Sequence, residues 1–286
     1  MRQVVISLNP DRVKALDYEC EVIQGCHYSE TPDWIRKAFS IMYNEHTKTS
    51  FGYDPPRYED GEWVSLPAVS KVKNRIACFT AHMNALQHII DKKYNDTVIL
   101  EDDSQIDRES MVGFDTASFP QDAPTLLGGC FHHPTSWGKD KAYIRDILPD
   151  LIKEFKHGIN PLDYSKYRWT QASAIYYPRW ETALWVISKV KAIGHRDFKT
   201  GYGPYKHYDI FLSEHRLVKY FHYPSVFTHN DRIDKDRQVI KGHTSLIGKG
   251  EGIVKNYVNL GKSADIVKKH TPPRSKPFVF PDDPHN

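Results

Sequence analysis

The sequence contains no apolar run approaching the roughly 18–20 residues that a membrane helix needs. It has no Cys-x-x-Cys pair, because its four cysteines, Cys20, Cys26, Cys78 and Cys130, stand apart. No second ligand pair at zinc spacing accompanies the run Cys130-Phe131-His132-His133, so a structural zinc knot is not expected there. An h-region is also missing: the chain opens almost at once on Val4-Val5-Ile6-Ser7-Leu8, too short for a secretory signal. A reducing cytoplasm with thiols rather than disulfides is the expected setting. The excess of basic over acidic residues is small, 39 against 36 for a net value of +3, which does not by itself imply nucleic acid. The exception is local, since basic residues outnumber acidic ones across 241–276. No internal repeat is visible.

The 286 residues fit one large α/β domain or two small ones. Hydrophobic residues at 40% and charged residues at 26% are ordinary for a soluble globular chain, so disorder throughout is excluded. Aromatics reach 13%, with 17 Tyr and 6 Trp. Their apolar faces and polar tips suit sugar or base binding as well as core packing.

Val4 to Leu8 reads as a short buried strand, broken by Asn9-Pro10-Asp11-Arg12, after which a helical stretch can follow. Residues 44–70 hold Gly52, Pro55, Pro56, Gly61 and Pro67 among polar neighbours and read as a long loop. Residues 71–94 give the clearest helix, with Ile76, Phe79, Met83, Leu86 and Ile90 on one face. Thr97-Val98-Ile99-Leu100 is then a buried strand with Glu101-Asp102-Asp103 at its carboxyl end. A second buried strand, Thr125-Leu126-Leu127, is read as ending at Gly128-Gly129. A third, 172–177, leads through Pro178 into a helix over 180–190. The pattern weakens from Gly248, so the division expected is a catalytic domain over 1–247 and a basic, Pro- and Gly-containing tail over 248–286.

Consecutive acids directly after an apolar strand need a chemical reason. Side chains alternate along extended backbone, which would put Glu101 and Asp103 on one side. Their repulsion calls for a cation nearby. Ligands of open α/β sheets bind beyond the carboxyl ends of strands. A hard cation such as Mg²⁺ or Mn²⁺ takes one or two carboxylates plus substrate phosphate oxygens. The pattern therefore suits a nucleoside diphosphate, whose developing charge the metal would neutralise. The plainer alternative is a helix cap built from the same acids.

Several segments, in order, resemble the family 25 glycosyltransferases, the group of lipooligosaccharide-biosynthesis enzymes and collagen galactosyltransferases. Val98-Ile99-Leu100-Glu101-Asp102-Asp103 matches the family's Ile-Leu-Glu-Asp-Asp strand. Val5 to Arg12 looks like its first strand followed by an Arg. Ile76-Ala77-Cys78-Phe79-Thr80-Ala81-His82 resembles its Gly-Cys-x-x-Ser-His helix start, with Ala77 and Thr80-Ala81 departing from it. Leu127-Gly128-Gly129 resembles a Leu-Gly strand end, and Thr170 to Tyr177 with Ala183 a Gly-Thr-x-Ala-Tyr segment. Tyr208-Asp209-Ile210-Phe211-Leu212 partly matches Val-Asp-x-x-Leu. Together they span about residues 4–245. The resemblance implies a GT-A-like, Rossmann-type mixed sheet flanked by helices in a single domain with an extended tail. It also implies an inverting mechanism and a nucleotide-sugar donor, a UDP-sugar being favoured.

Under that resemblance, Glu101 and Asp103 hold Mn²⁺ or Mg²⁺, His229 is a third ligand, and Asp102 faces the donor. Asn9 and Arg12, after the first strand, meet the nucleoside and its phosphates. His82 is either a donor contact or a buried helix histidine. Asp209 is the base that accepts the acceptor hydroxyl's proton, or else a helix cap. His229 reads otherwise as a turn histidine, and Arg12 as one half of a surface ion pair. The acceptor expected is a glycan or lipid-linked saccharide, or a hydroxylated DNA base approached by Lys71, Lys73, Arg75 and the tail lysines. The competing classes are a metal-dependent phosphodiesterase or nuclease and a non-catalytic saccharide-binding protein on the same fold.

Overall fold

The computed structural model describes residues 1–14, 16, 18–32, 35–36, 57–59, 62–64, 69–108, 110–132, 148–200 and 208–229. The expected tail over 248–286, the boundary at 247 and the lysine-rich stretch lie outside these residues.

The fold is α/β, with a mixed seven-stranded sheet at its centre. The chain begins with β1 (Arg2–Ser7), α1 (Pro10–Lys14) and β2 (Glu21–Gln24). A short hairpin, β3 (Arg57–Glu59) and β4 (Glu62–Val64), precedes the long α2 (Val69–Asp91). Next come β5 (Thr97–Glu101), β6 (Ser104–Ile106) and β7 (Thr125–His132). Then follow α3 (Leu148–Glu154), β8 (Gly158–Pro161), β9 (Arg168–Tyr177) and α4 (Trp180–Thr200). Last are α5 (Tyr208–Glu214), β10 (Tyr220–Tyr223) and β11 (Phe227–His229). Among the described residues no helix is long and apolar enough to cross a membrane.

The sheet runs β2-β1-β5-β9-β7-β10-β8. Strands β2, β1, β5, β7 and β10 point one way, and β9 and β8 run against them. From β1 the chain goes to β2 on one side and later to β5 on the other. The β1–β5 gap is therefore a topological switch point, where open α/β sheets form a ligand crevice beyond their carboxyl ends.

Alternation along the strands builds a core on each face. Ile99, Leu126 and Ile175 face the helices, meeting Ile76, Phe79, Met83, Leu86 and Ile89 of α2 and Val186, Ile187 and Val190 of α4. Val98, Leu100, Leu127, Ala174 and Tyr176 face the opposite way, onto Phe119, Val226 and Phe227. The helical face expected for α2 is thus present, with Ile89 fully buried and Ile90 only partly so. The helix ends in a Schellman motif, with Tyr94 N–H donating to Ile89 O and Lys93 N–H to Ile90 O. Lys93 takes the left-handed position, at φ 51°, that glycine usually fills.

Two expectations change. Gly128-Gly129 does not end its strand: β7 continues to His132, and the register shifts between Leu126 and Gly128 and between Gly128 and Cys130. Glycine inside a strand commonly marks such a bulge. The stretch read as one loop over 44–70 contains the β3–β4 hairpin, whose two-residue Asp60-Gly61 connection is a strong hairpin signal. It also contains the start of α2; the rest of it lies outside the described residues.

Candidate functional site

The carboxyl end of β5 places the acidic triplet at the switch point beside β1. The strand itself stops at Glu101, and Asp102 and Asp103 form the turn into β6. Extended alternation therefore does not continue through Asp103, and the expectation that it puts Glu101 and Asp103 on one side loses its basis. Instead the fold parts Glu101 from Asp102.

Glu101 continues the Ile99 side of β5, the side packed on the helices. There its Oε1 lies 3.3 Å from His82 Nε2 of α2. The His82 ring is stacked on Tyr208 at the start of α5, with centroids 4.5 Å apart and planes 11° apart. Tyr208 is held in turn by a 3.1 Å hydroxyl–hydroxyl contact with Tyr177 of β9. Burial pushes both phenols well above their ordinary range, so both remain neutral hydrogen-bonding groups.

Asp102 turns to β1 and α1. Ser7 Oγ–H donates to its Oδ2 at 2.7 Å, and Arg12 Nη1 donates to its Oδ1 at 3.1 Å. The Arg12 and Asp102 side chains are only 17% and 16% exposed, so the pair is largely shielded from water. Arg12 is thus an internal partner of Asp102 rather than half of a surface ion pair. Asn9 caps α1: its Oδ1 accepts the Asp11 N–H at 3.0 Å, ahead of Pro10 at the first helical position. Its backbone N–H donates to Ser7 Oγ at 2.9 Å. Ser7, Asn9, Arg12 and Asp102 form one connected unit that spans the crevice.

Asp103, next in the turn, is half-buried. Directly after it, β6 pairs antiparallel with β11, and His229 lies opposite Ser104 in the register. Residues distant in sequence, Asp103 and His229, are in this way brought to one edge of the fold. Tyr18 ties that edge to the β1 side, its hydroxyl donating to Ser104 O at 3.0 Å and its ring meeting Phe227 edge-on. Asp209 is the second residue of α5, and its Oδ1 accepts the Ile210 N–H at 2.7 Å. An N-cap precedes the helix and accepts from an N–H two or three residues on, so Asp209 is inside α5 and not its cap, on the same helix turn as the Tyr208 that covers His82.

Sequence reasoning missed Ser7, Tyr208 and Cys78. Ser7 carried no signal beyond ending a strand. Cys78 did carry one, since it lies four residues before His82 on one helix face. Of the lysines considered for nucleic acid, Lys73 stands 4.9 Å from the Tyr28 ring. The side chains of Lys71, Cys130, His132 and the candidate ligand His229, and all of His133, lie outside the described set. No protein-family model matches this chain, and a search of curated proteins finds no relative.

Proposed function

We propose that the chain is a metal-dependent, inverting glycosyltransferase that transfers a sugar from a nucleotide-sugar donor, a UDP-sugar in the first instance, to a hydroxyl acceptor. The observation that supports it is the position of Asp102 and Asp103. They sit beyond the carboxyl end of β5, at the β1–β5 switch point, with Arg12 on one side and the His229 backbone on the other.

The donor types suit a divalent cation. Asp103 offers carboxylate oxygens and His229 an imidazole, and few protein ligands are needed when substrate phosphates complete the shell. Asp103 and His229 would hold Mn²⁺ or Mg²⁺, which would supply positive charge against the departing diphosphate. Asp102 has both oxygens engaged by Ser7 and Arg12, so it orients the crevice and anchors Arg12 beside the phosphates. Glu101, drawn to His82, is not needed in that set.

In the transfer, the acceptor oxygen bonds to the anomeric carbon as the bond to the diphosphate oxygen breaks. The acceptor's proton passes to the Asp209 carboxylate. The acceptor is a glycan or lipid-linked saccharide, and a cytoplasmic location belongs to the same proposal. A panel of UDP-, GDP- and CMP-sugars, assayed for slow hydrolysis with Mn²⁺ and with chelator, tests it. Metal-dependent turnover of one nucleotide class supports the reading. Turnover of none, together with cleavage of a phosphodiester substrate, would replace it with the nuclease reading.

A further inference from the structure

A second metal-capable cluster stands apart from Asp103 and His229. Cys78 and His82 lie one turn apart on α2, and Glu101 reaches them from the end of β5. Their ligand atoms, one sulfur, one imidazole nitrogen and one carboxylate oxygen, all lie within 4.8 Å of one another. Among the described residues no other three metal-capable side chains converge in this way.

Three features point to a ligand. The His82–Glu101 contact, at 3.3 Å, is longer than a normal N–H···O bond. His82 is 8% exposed, yet its Nδ1 is buried without a hydrogen-bond partner. Buried polar atoms left so commonly mark a missing water or ion. Beside the ring is a cavity of about 10 Å³, lined by His82, Glu101, Tyr177 and Tyr208 among others. That is room for about one water molecule.

We propose that Cys78, His82 and Glu101 form a three-ligand site for a borderline-soft divalent cation of the zinc class, with water from the adjoining cavity as the fourth ligand. The sulfur and imidazole donors select such a cation over Mg²⁺ or Mn²⁺. Bonds of about 2.0–2.3 Å place tetrahedral ligands about 3.3–3.8 Å apart, so the side chains close by on the order of 1 Å. The stacked Tyr208 holds the imidazole plane while they do so. Binding converts the Cys78 thiol to a thiolate and releases its proton to solvent. The ion would clamp α2 to the end of β5 and keep Glu101 away from Asp103.

The test is a titration of the metal-stripped full chain with Co²⁺, followed by absorption. A thiolate-to-cobalt charge-transfer band in the near ultraviolet, saturating at one equivalent and displaced by Zn²⁺, is the expected result. Cys78→Ser should lose the band while keeping its circular dichroism, His82→Gln should weaken cobalt binding at least tenfold, and Asp103→Asn should leave the band unchanged. Absence of the band in the unmodified chain, or its persistence in Cys78→Ser, overturns the site. No nucleotide sugar takes part, so this result is separate from the success or failure of the transferase reading.

Discussion

Replacing Arg12 by Gln removes the charged partner that Asp102 has across the crevice among the described residues, while Ser7 keeps its hydrogen bond to the other oxygen. A hydrogen bond to a charged group contributes about 1.5–3 kcal/mol. Removing one partner of a fully buried ion pair costs about 3–5 kcal/mol. With side chains 17% and 16% exposed, the lower part of the combined range applies, giving about 2–3 kcal/mol for Arg12→Gln. In a domain of this size each kcal/mol moves the melting temperature by about 2–4 °C, so a fall of about 4–12 °C is expected. Asp102→Asn should cost a similar amount. The informative quantity is the double-mutant cycle, read by chemical denaturation, in which directly bonded partners couple by about 0.5–3 kcal/mol. The expected coupling is at least about 1 kcal/mol. A coupling near zero would mean that the pair behaves like an exposed ion pair, and the description of a rigid Ser7–Arg12–Asp102 unit would be wrong.

Phe79 is fully buried and meets Tyr208 and Phe211 edge-on, each at 5.6 Å, so it fastens α5 to α2. Phe79→Ala should destabilise the fold by about 3–5 kcal/mol in denaturant melts. Lys93→Gly should do the opposite. Relief of the left-handed backbone, worth about 1–2 kcal/mol, offsets the added unfolded-state entropy of about 0.4–1 kcal/mol, for a net gain of about 0–1.6 kcal/mol. Burial holds the His222 imidazole below its ordinary value; the bond from its Nδ1–H to Pro224 O opposes this, and nearby His157 adds to it. The unfolded chain therefore takes up a proton before the folded one does. The resulting stability is complete above an unfolded pKa of about 6.5 and is lost as pH falls from there through the depressed folded value. Melting temperature should thus drop more steeply below pH 6.5 in the unmodified protein than in His222→Asn.

Much of the frame was legible because it rests on local pattern, short apolar runs and one helical periodicity. The apolar face of α2 came from steps of three and four, and the strand before the acidic triplet and the one at 172–177 came from short apolar runs. Bulges do not announce themselves this way, so Gly128-Gly129 read as a stop although the ladder with β9 passes through it. The site was legible in composition but not in arrangement. Glu101 and Asp102 are neighbours in the chain, yet one meets α2 and the other meets β1 and α1, because different elements cover the two sides of β5. Only the sheet order and the β6–β11 register reveal that His229 returns to the same edge. That Asp209 lies inside α5 and not at its cap follows from where the helix begins, which its short apolar run could not fix.

The most direct measurement of the central claim is calorimetric binding of UDP with and without Mn²⁺, on the unmodified protein and on Asp103→Asn. Binding should require Mn²⁺ and weaken at least tenfold, about 1.4 kcal/mol, in the variant. Binding that is equal with and without the metal, or unchanged in Asp103→Asn, would contradict it, as would no binding of UDP, GDP or CMP under any metal condition.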